Sequence, residues 1–280
     1  MPFLELFDET LDINSTENYE LSVQLSTSDL SFCILDTLRN KFVLLRSYEP
    51  DGNKDFDIIG LGEIISKDDF LSKHYKKVSL VTPSEKSTLV PAALFDESKR
   101  EEYFKYNQIN SADDTILTNH ITDPDIFLLF CLPNVALDLL KIMFPGSIPL
   151  HQLKSLFYHI KLNRRTLGSN YVHIHFEKEY VNLIIFDQNA LKFCNTFHYK
   201  DLSDIQYFVL YVFKKMNINQ EEVVFLSGMT KYNGGIVKDF SKYIGNIKFA
   251  EPTGNFTFSY VFNDVELHRF LNLFNAVNCE

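Results

Sequence analysis

The sequence predicts a mixed α/β protein built from two similar halves, each running β-β-β-α-β-α, and three observations carry that expectation. The stretch Leu21 to Tyr48 matches Val172 to Tyr199 without a gap, at a constant offset of 151 residues. Val23 falls on Ile174, Leu25 on Phe176, Leu30 on Val181, Phe32 on Leu183 and Ile34 on Ile185, while Asp36, Lys41, Phe42 and Tyr48 meet identical residues at Asp187, Lys192, Phe193 and Tyr199. Both copies alternate apolar and polar residues through two runs, break at a polar turn and resume, which is the pattern of a three-strand antiparallel meander. Each meander is followed by a helical region and a short buried strand, Val78 to Val81 in the first half and Val223 to Leu226 in the second. One half reads as a copy of the other, with a lead-in and an insertion in the first (1–160) and the second over 161–280.

Composition bounds the class. With 280 residues, 45% of them hydrophobic, the chain can bury a sizeable core and is long enough for two domains. A net charge of −10, from 27 basic and 37 acidic side chains, repels polyanions on average and argues against nucleic acid as a partner. No apolar run reaches the roughly 18 residues that a membrane span needs. The first residues, Met1-Pro2-Phe3-Leu4-Glu5, carry an acid where a signal peptide carries bases, so the cytoplasm is the expected compartment. Cys33, Cys131, Cys194 and Cys279 are far apart and three lie in apolar strand-like runs, so they read as reduced core residues.

Taken in order, residues 1–18 are an acidic surface lead-in, and strands are expected at 20–26, 30–36 and 41–48 before a turn at Pro50-Asp51-Gly52-Asn53. A helical region over 57–75 is weakened by Gly60 and Gly62 and restarted by Ser66-Lys67-Asp68-Asp69, which has the form of a capping box with Asp for Glu. Thr88-Leu89-Val90-Pro91 reads as a strand whose proline puts it at an edge or strand end. Asp96 caps a charged helix, and strands near 116–121 and 126–131 flank Thr122-Asp123-Pro124-Asp125. Val135, Leu139 and Met143 recur at helical spacing until Pro145-Gly146. Ser147 is then expected to cap a helix with Pro149 in its first turn and Leu150, Leu153, Phe157 and Ile160 on its apolar face. In the second half Ser203-Asp204-Ile205-Gln206 reads as a capping box ahead of the stripe Ile205, Phe208, Val209, Val212, Phe213 and Met216. A helix over 233–243, a strand near 247–250, an antiparallel strand near 256–262 and a helix from Asp264 burying Leu267, Phe270, Leu271 and Phe274 complete the chain.

This doubled order of elements resembles the duplicated ribonuclease-H-like fold of the actin and sugar-kinase ATPase superfamily over nearly the whole chain. More narrowly, the runs Phe7-Asp8-Glu9-Thr10-Leu11-Asp12, Leu30-Ser31-Phe32-Cys33-Ile34-Leu35-Asp36 and Thr88-Leu89-Val90-Pro91-Ala92-Ala93-Leu94-Phe95-Asp96 resemble an uncharacterised bacterial family with an actin-like ATPase fold. That match implies the fold and brings no activity with it. The wider resemblance implies phosphates held at the hairpin after the first strand of each half, where Gly and Ser/Thr admit anionic oxygens to backbone N–H groups and a nearby Asp organises Mg²⁺. Here those hairpins are Ser26-Thr27-Ser28-Asp29 and Glu177-Lys178-Glu179-Tyr180, without glycine, and the second sets two carboxylates where a phosphate would lie. The preceding strands offer Glu20 and Gln24, or His173 and His175, and no Asp. The resemblance also implies an adenosine-contacting turn at Gly228 and Thr230, with Asn233, Gly234 and Gly235 at the start of the next helix. The plainer reading of these residues is a strand-to-helix loop that needs glycine to turn. The first half has Thr82-Pro83-Ser84-Glu85 at that place.

Other candidates have simpler readings. His173 and His175 share a strand face in line with Glu177, and such a pair can ligate a metal, but a polar strand face accounts for them without a third ligand. Asp36 and Asp187 sit at strand ends entering turns. A ribonuclease-type site needs a carboxylate on its first strand, which both halves lack. Lys161, Arg164 and Arg165 form a basic cluster that suits the C-terminal dipole of a helix better than phosphate binding. The expected function is that of a non-catalytic actin-like protein, a binding or assembly module for a protein partner that the sequence does not identify. The alternative is a divergent ATPase or small-molecule kinase using ATP and Mg²⁺, supported by Gly228 and Gly234-Gly235 alone.

Overall fold

In the computed structural model, which describes residues 1–26, 28–50, 55–164, 170–187, 190–232 and 234–279, the lead-in is part of a sheet. The chain opens with β1 (Leu4–Phe7), β2 (Tyr19–Leu25), β3 (Leu30–Asp36) and β4 (Lys41–Tyr48). Alternation sends Leu21, Val23 and Leu25 to one face of β2, and pairing with the wholly buried β3 holds Val23 opposite Phe32. A one-residue slip would turn every apolar side chain of β2 off the core, so this register is strongly selected. β1 runs antiparallel along β4, covering what would otherwise be an edge.

Helix α1 (Ile58–Lys67) starts at Asp57, whose carboxylate accepts from Gly60 N–H, and packs Leu61 and Ile65 into the core. Asp68 ends this helix instead of restarting it. Its carboxylate is fully buried, accepting from Phe70 N–H (2.8 Å), Leu71 N–H (3.0 Å), Tyr48 Oη (2.6 Å) and Arg46 Nη1 (2.7 Å), so the Asp serves strand β4 rather than a second helix. The chain then makes β5 (Lys77–Thr82), parallel to β2.

The insertion is a separate three-stranded sheet of β6 (Ser87–Pro91), β7 (Asp114–Thr122) and β8 (Asp125–Pro133), with α2 (Arg100–Asn107) against it and Pro91 closing the edge strand. Helix α3 (Asn134–Met143) follows, then β9 (Pro149–His151) and α4 (Gln152–Asn163). The sequence places a helix from Ser147, but Pro149 to His151 pair in parallel with Leu80 to Thr82 and the helix waits until Gln152. Sheet pairing of three buried residues outweighs a first-turn proline.

The second unit contains β10 (Tyr171–Phe176), β11 (Tyr180–Phe186), β12 (Leu191–His198), α5 (Leu202–Met216), β13 (Val223–Gly228), α6 (Gly235–Phe240) and β14 (Asn246–Phe249). Helix α5 is capped by Asp201, which accepts from Ser203 and Asp204 N–H while Asp204 returns to the cap's own backbone. The capping box therefore begins two residues before Ser203, because an Asp at the cap serves two free N–H groups at once. The chain ends with β15 (Thr257–Phe258) and α7 (Leu271–Asn275). The last strand is parallel to β4 rather than antiparallel, and Leu271 and Phe274 are buried whereas Leu267 and Phe270 are half-buried.

The large sheets share one strand order. The first runs β1-β4-β3-β2-β5-β9 and the second β12-β11-β10-β13-β14, so in both the third strand of the meander is outside the second, the second outside the first, and two parallel strands follow. Val23 faces Phe32 and Ile174 faces Leu183, each pair 151 residues from the other, and each sheet has a bulge at the same place, after Ile34 and after Ile185. The third strands depart from the ungapped match. Leu35 faces Phe42 whereas Phe186 faces Leu191, which sets the third strands 149 residues apart. The shorter second hairpin moves β12 by two residues, which keeps its facing, so the shared Lys, Phe and Tyr are not equivalent in space.

By contacts the chain divides into Met1–Tyr158 with Gly254–Asp264 and Asn272–Glu280, and His159–Thr253 with Val265–Leu271. The sequence places one cut at 160/161; the contacts place it after Tyr158 and return two C-terminal segments to the first unit. All four cysteines are free, and no helix among the described residues is long and apolar enough to cross a membrane. The turn expected at Asp51 to Asn53 lies outside the described residues, as do Thr27, Arg165 and Asn233.

Candidate functional site

β13 ends on Gly228, and the geometry of the candidate site starts there. Its φ of +81° is left-handed, and a Cβ at this position would overlap Phe176 O and lie 2.9 Å from His175 Cε1. Glycine lets the chain turn back against the end of β10, where Met229 N–H donates to Phe176 O (2.8 Å) and Thr230 N–H to Gly228 O (2.7 Å). Thr230 is buried, its carbonyl accepts from His268 Nε2 (2.9 Å), and its hydroxyl has no partner among the described residues. Tyr232 N–H donates to Glu266 Oε1 (3.1 Å) and Gly234 N–H to Lys231 O (2.9 Å). Gly234 is the N-cap of α6 and Gly235 its exposed first residue. The structure thus brings Gly228, Thr230, Gly234 and Gly235 into one strand-to-helix connection in which the backbone donors of Met229, Thr230, Tyr232 and Gly234 are engaged within the chain.

Behind this turn lies a polar seam that the sequence reading does not anticipate. His173 and His175 are not on a solvated strand face: β10 is the central strand of its sheet, and both rings are buried on the face opposite Val172, Ile174 and Phe176. The parallel pairing of β10 with β13 sets Ser227 opposite His175, and Ser227 Oγ lies 2.7 Å from His173 Nε2 and 2.7 Å from His175 Nδ1. His175 Nε2 faces Glu177 Oε1 at 3.1 Å. With Glu177 ionised and both imidazoles neutral, one proton assignment satisfies these contacts: His175 Nε2–H donates to Glu177, Ser227 O–H donates to His175 Nδ1, and His173 Nε2–H donates to Ser227 Oγ. His173 Nδ1 is then a buried acceptor, with no partner among the described residues. His159 stands edge-on to His173 at 5.8 Å, held by Thr253 Oγ1 at 3.3 Å from its Nδ1. Burial pushes the His159 imidazole down to about 4 and that of His173 well below the ordinary value, the neighbouring His159 and His175 adding to the latter.

Ser227, His175 and Glu177 have the order of a hydrolytic triad. Ser227 Oγ, however, is wholly buried and shared with His173, so no substrate carbonyl reaches it, and the seam is an internally bonded support for the Gly228 turn. Ser227 and His159 carry no sequence signal by themselves; strand pairing and helix packing bring them to the histidines. Among the described residues no group of three or more His, Cys, Asp or Glu is placed to share a metal ion.

The hairpins are closed as well. Ser26 N–H donates to Asp29 O (2.8 Å) and Glu177 N–H to Tyr180 O (2.9 Å). The Asp29 carboxylate is buried on Ser31 Oγ (2.7 Å), and Glu177 is turned in to His175 rather than out beside Glu179, which is exposed. At the first-unit counterpart of the Gly228 turn, Ser84 N–H donates to Gln152 Oε1 (3.0 Å) and Ser84 O lies 2.9 Å from His151 Nε2. Asp36 accepts from Leu38 and Arg39 N–H, and Asp187 from Ala190 N–H, as turn residues do. Of the basic cluster, Arg164 is buried with its guanidinium 4.5 Å from the Phe186 ring centre, so it faces an aromatic ring instead of solvent.

A family model described as a protein of unknown function (DUF3822) matches residues 8–247. The crystal structure of a Bacteroides thetaiotaomicron protein with an actin-like ATPase fold and unknown function aligns with 97% of this chain and 100% of its own, at 22% identity and a TM-score of 0.76. The PilM–PilN type IV pilus biogenesis complex aligns with 92% of this chain and 98% of its own, at 13% identity and a TM-score of 0.62. No curated protein matches the chain.

Proposed function

Because this chain belongs to the DUF3822 family and has an actin-like ATPase fold, we propose that it is a protein-binding or assembly module in which the two-sheet frame is kept and phosphoryl transfer is lost. One observation carries the reading: the two hairpins where the fold would seat phosphates contain no glycine and are closed on themselves, Ser26 N–H donating to Asp29 O and Glu177 N–H to Tyr180 O. Catalysis of phosphoryl transfer depends on free backbone donors and a metal around the transferring group, so spending the donors internally removes transition-state stabilisation rather than merely weakening binding. At the turn where the fold would seat the adenosine, the N–H groups of Met229, Thr230, Tyr232 and Gly234 also donate within the chain, which supports the same reading. PilM, an example of this fold in a type IV pilus biogenesis complex with PilN, supports the use of such a frame for protein assembly. The similar halves we read as a duplication, the nucleotide site as degenerate, and the compartment as the cytoplasm.

In a calorimetric titration with ATP and Mg²⁺ the purified chain is expected to give no heat beyond dilution, and phosphate release is expected to match the blank. The competing reading, a divergent ATPase or kinase with its purine against Gly228, Thr230, Gly234 and Gly235, predicts magnesium-dependent turnover that disappears in Gly235→Glu without a change in melting temperature. Gly235 is exposed, so that variant folds.

A further inference from the structure

We propose that the chain forms a two-fold dimer through the open edge of its second sheet, β12 pairing antiparallel with β12 of a second copy and the exposed aromatic face of α5 packing beside it. The outer side of the third meander strand is covered in the first sheet: β1 pairs with Leu44 to Ser47 of β4, and β15 with Lys41 and Phe42. In the second sheet β12 occupies the same place in the strand order and ends it, with no further strand among the described residues. Its sequence, Leu191-Lys192-Phe193-Cys194-Asn195-Thr196-Phe197-His198, has one formal charge and no Pro or Gly, so it lacks the devices that usually blunt a sheet edge.

A ribbon of rings leads from this edge onto the helix. Phe193 and Phe197 lie 6.2 Å apart, Phe197 stacks on Phe208 at 4.9 Å, Phe208 meets Tyr207 at 5.7 Å, and Tyr207 stacks on Tyr211 at 6.1 Å. Tyr207 is 64% exposed and Tyr211 51%. Rings in this setting are the residue type enriched where proteins meet.

The charges select a second copy as the occupant. A two-fold axis makes the paired strands and the paired helices antiparallel. It therefore sets the basic last turn of α5, Lys214 and Lys215, opposite the acidic start of the helix, the capping Asp201 and the first-turn Asp204, of the other copy. With the axis at Asn195, Phe193 of each copy opposes Phe197 of the other, a favourable cross-strand pair, and Lys192 opposes the uncharged His198 ring. No carboxylate lies on β12, which matters in a chain of net charge −10. A strand from an unrelated protein would satisfy the backbone but not this end-for-end match of side chains.

The dimer gives the assembly reading a partner, and rests on it only for its use: self-association and nucleotide binding are separate measurements, and either can fail alone. Sedimentation equilibrium of the full chain is expected to give twice the chain's mass, and Asn195→Lys and Tyr207→Glu, both at exposed positions, are each expected to return it to the monomer with the melting temperature unchanged. Asn195→Cys is expected to cross-link two chains on mild oxidation, since the axis brings that residue against its own copy. A monomer at every concentration overturns the proposal. So does a dimer that survives both charge substitutions, or an edge that instead takes up an extended peptide of another protein while the chain stays monomeric.

Discussion

Gly228 is the residue on which the candidate site turns. Its left-handed φ and the overlap a Cβ would make with Phe176 O act together, and the blocking atom is backbone, which cannot swing aside. Gly228→Ala is expected to lower unfolding stability by about 2–3 kcal/mol, seen as a reduced urea midpoint with unchanged slope. Gly235→Ala, at an exposed helix start with only Leu202 Cδ1 nearby (3.3 Å), is the control and should be near neutral. Equal effects of the two would show that the turn is not built on Gly228. The sequence made this glycine visible as a turn former. It did not show His175 and Ser227 beneath it, because their approach depends on a parallel pairing between strands about 50 residues apart.

At the scale of the element, Asp68 shows how one side chain can change the meaning of a local motif. Ser66-Lys67-Asp68-Asp69 has the composition of a helix start, yet Arg46 and Tyr48 from β4 draw Asp68 into a buried four-donor site that ends α1. Burial alone would raise its carboxyl, but the bonds from Tyr48, Arg46 and the backbone of Leu71 and Phe70 outweigh it and hold the group below the usual carboxylate range. Asp68→Asn leaves the Arg46 guanidinium, its side chain 12% exposed, without its buried counter-charge, and is expected to cost about 3 kcal/mol. Glu5→Gln removes the other, 44% exposed partner of Arg46 and is expected to cost under about 1 kcal/mol. Chemical denaturation of the two variants separates these cases; similar losses would mean that Asp68 is not the organising group. The cap of α5 is a milder instance, a local motif correctly sensed but placed two residues late.

Across the whole molecule, buried neutral histidines make the fold sensitive to mild acid. Burial pushes His151 in the first unit down to about 3 and His159 in the second down to about 4, and holds His173 low as well. Unfolded imidazoles bind protons below about 6.5 whereas these native ones do not, so the unfolded state carries more protons and stability falls as pH drops from 6.5 toward 4. Above 6.5 their contribution is complete; carboxylates held low, such as Asp68, add their loss only below about 4. The urea midpoint is therefore expected to be clearly lower at pH 5 than at pH 7, and a flat profile between them would mean that the buried rings accept protons without opening the fold. What the sequence by itself determined is the pair of meanders and the buried strand after each helix, the order whose resemblance implied the actin-like frame, because period-two alternation allows one facing per strand and the first two strands keep it at a constant offset. Only the tertiary structure decided the two-residue shift of β12, the pairing of Pro149 to His151 as a strand, the return of β15 to β4 and the seam joining His173, His175 and Ser227. Each of these rests on partners far apart along the chain, and local periodicity holds no record of which distant strand a residue will meet.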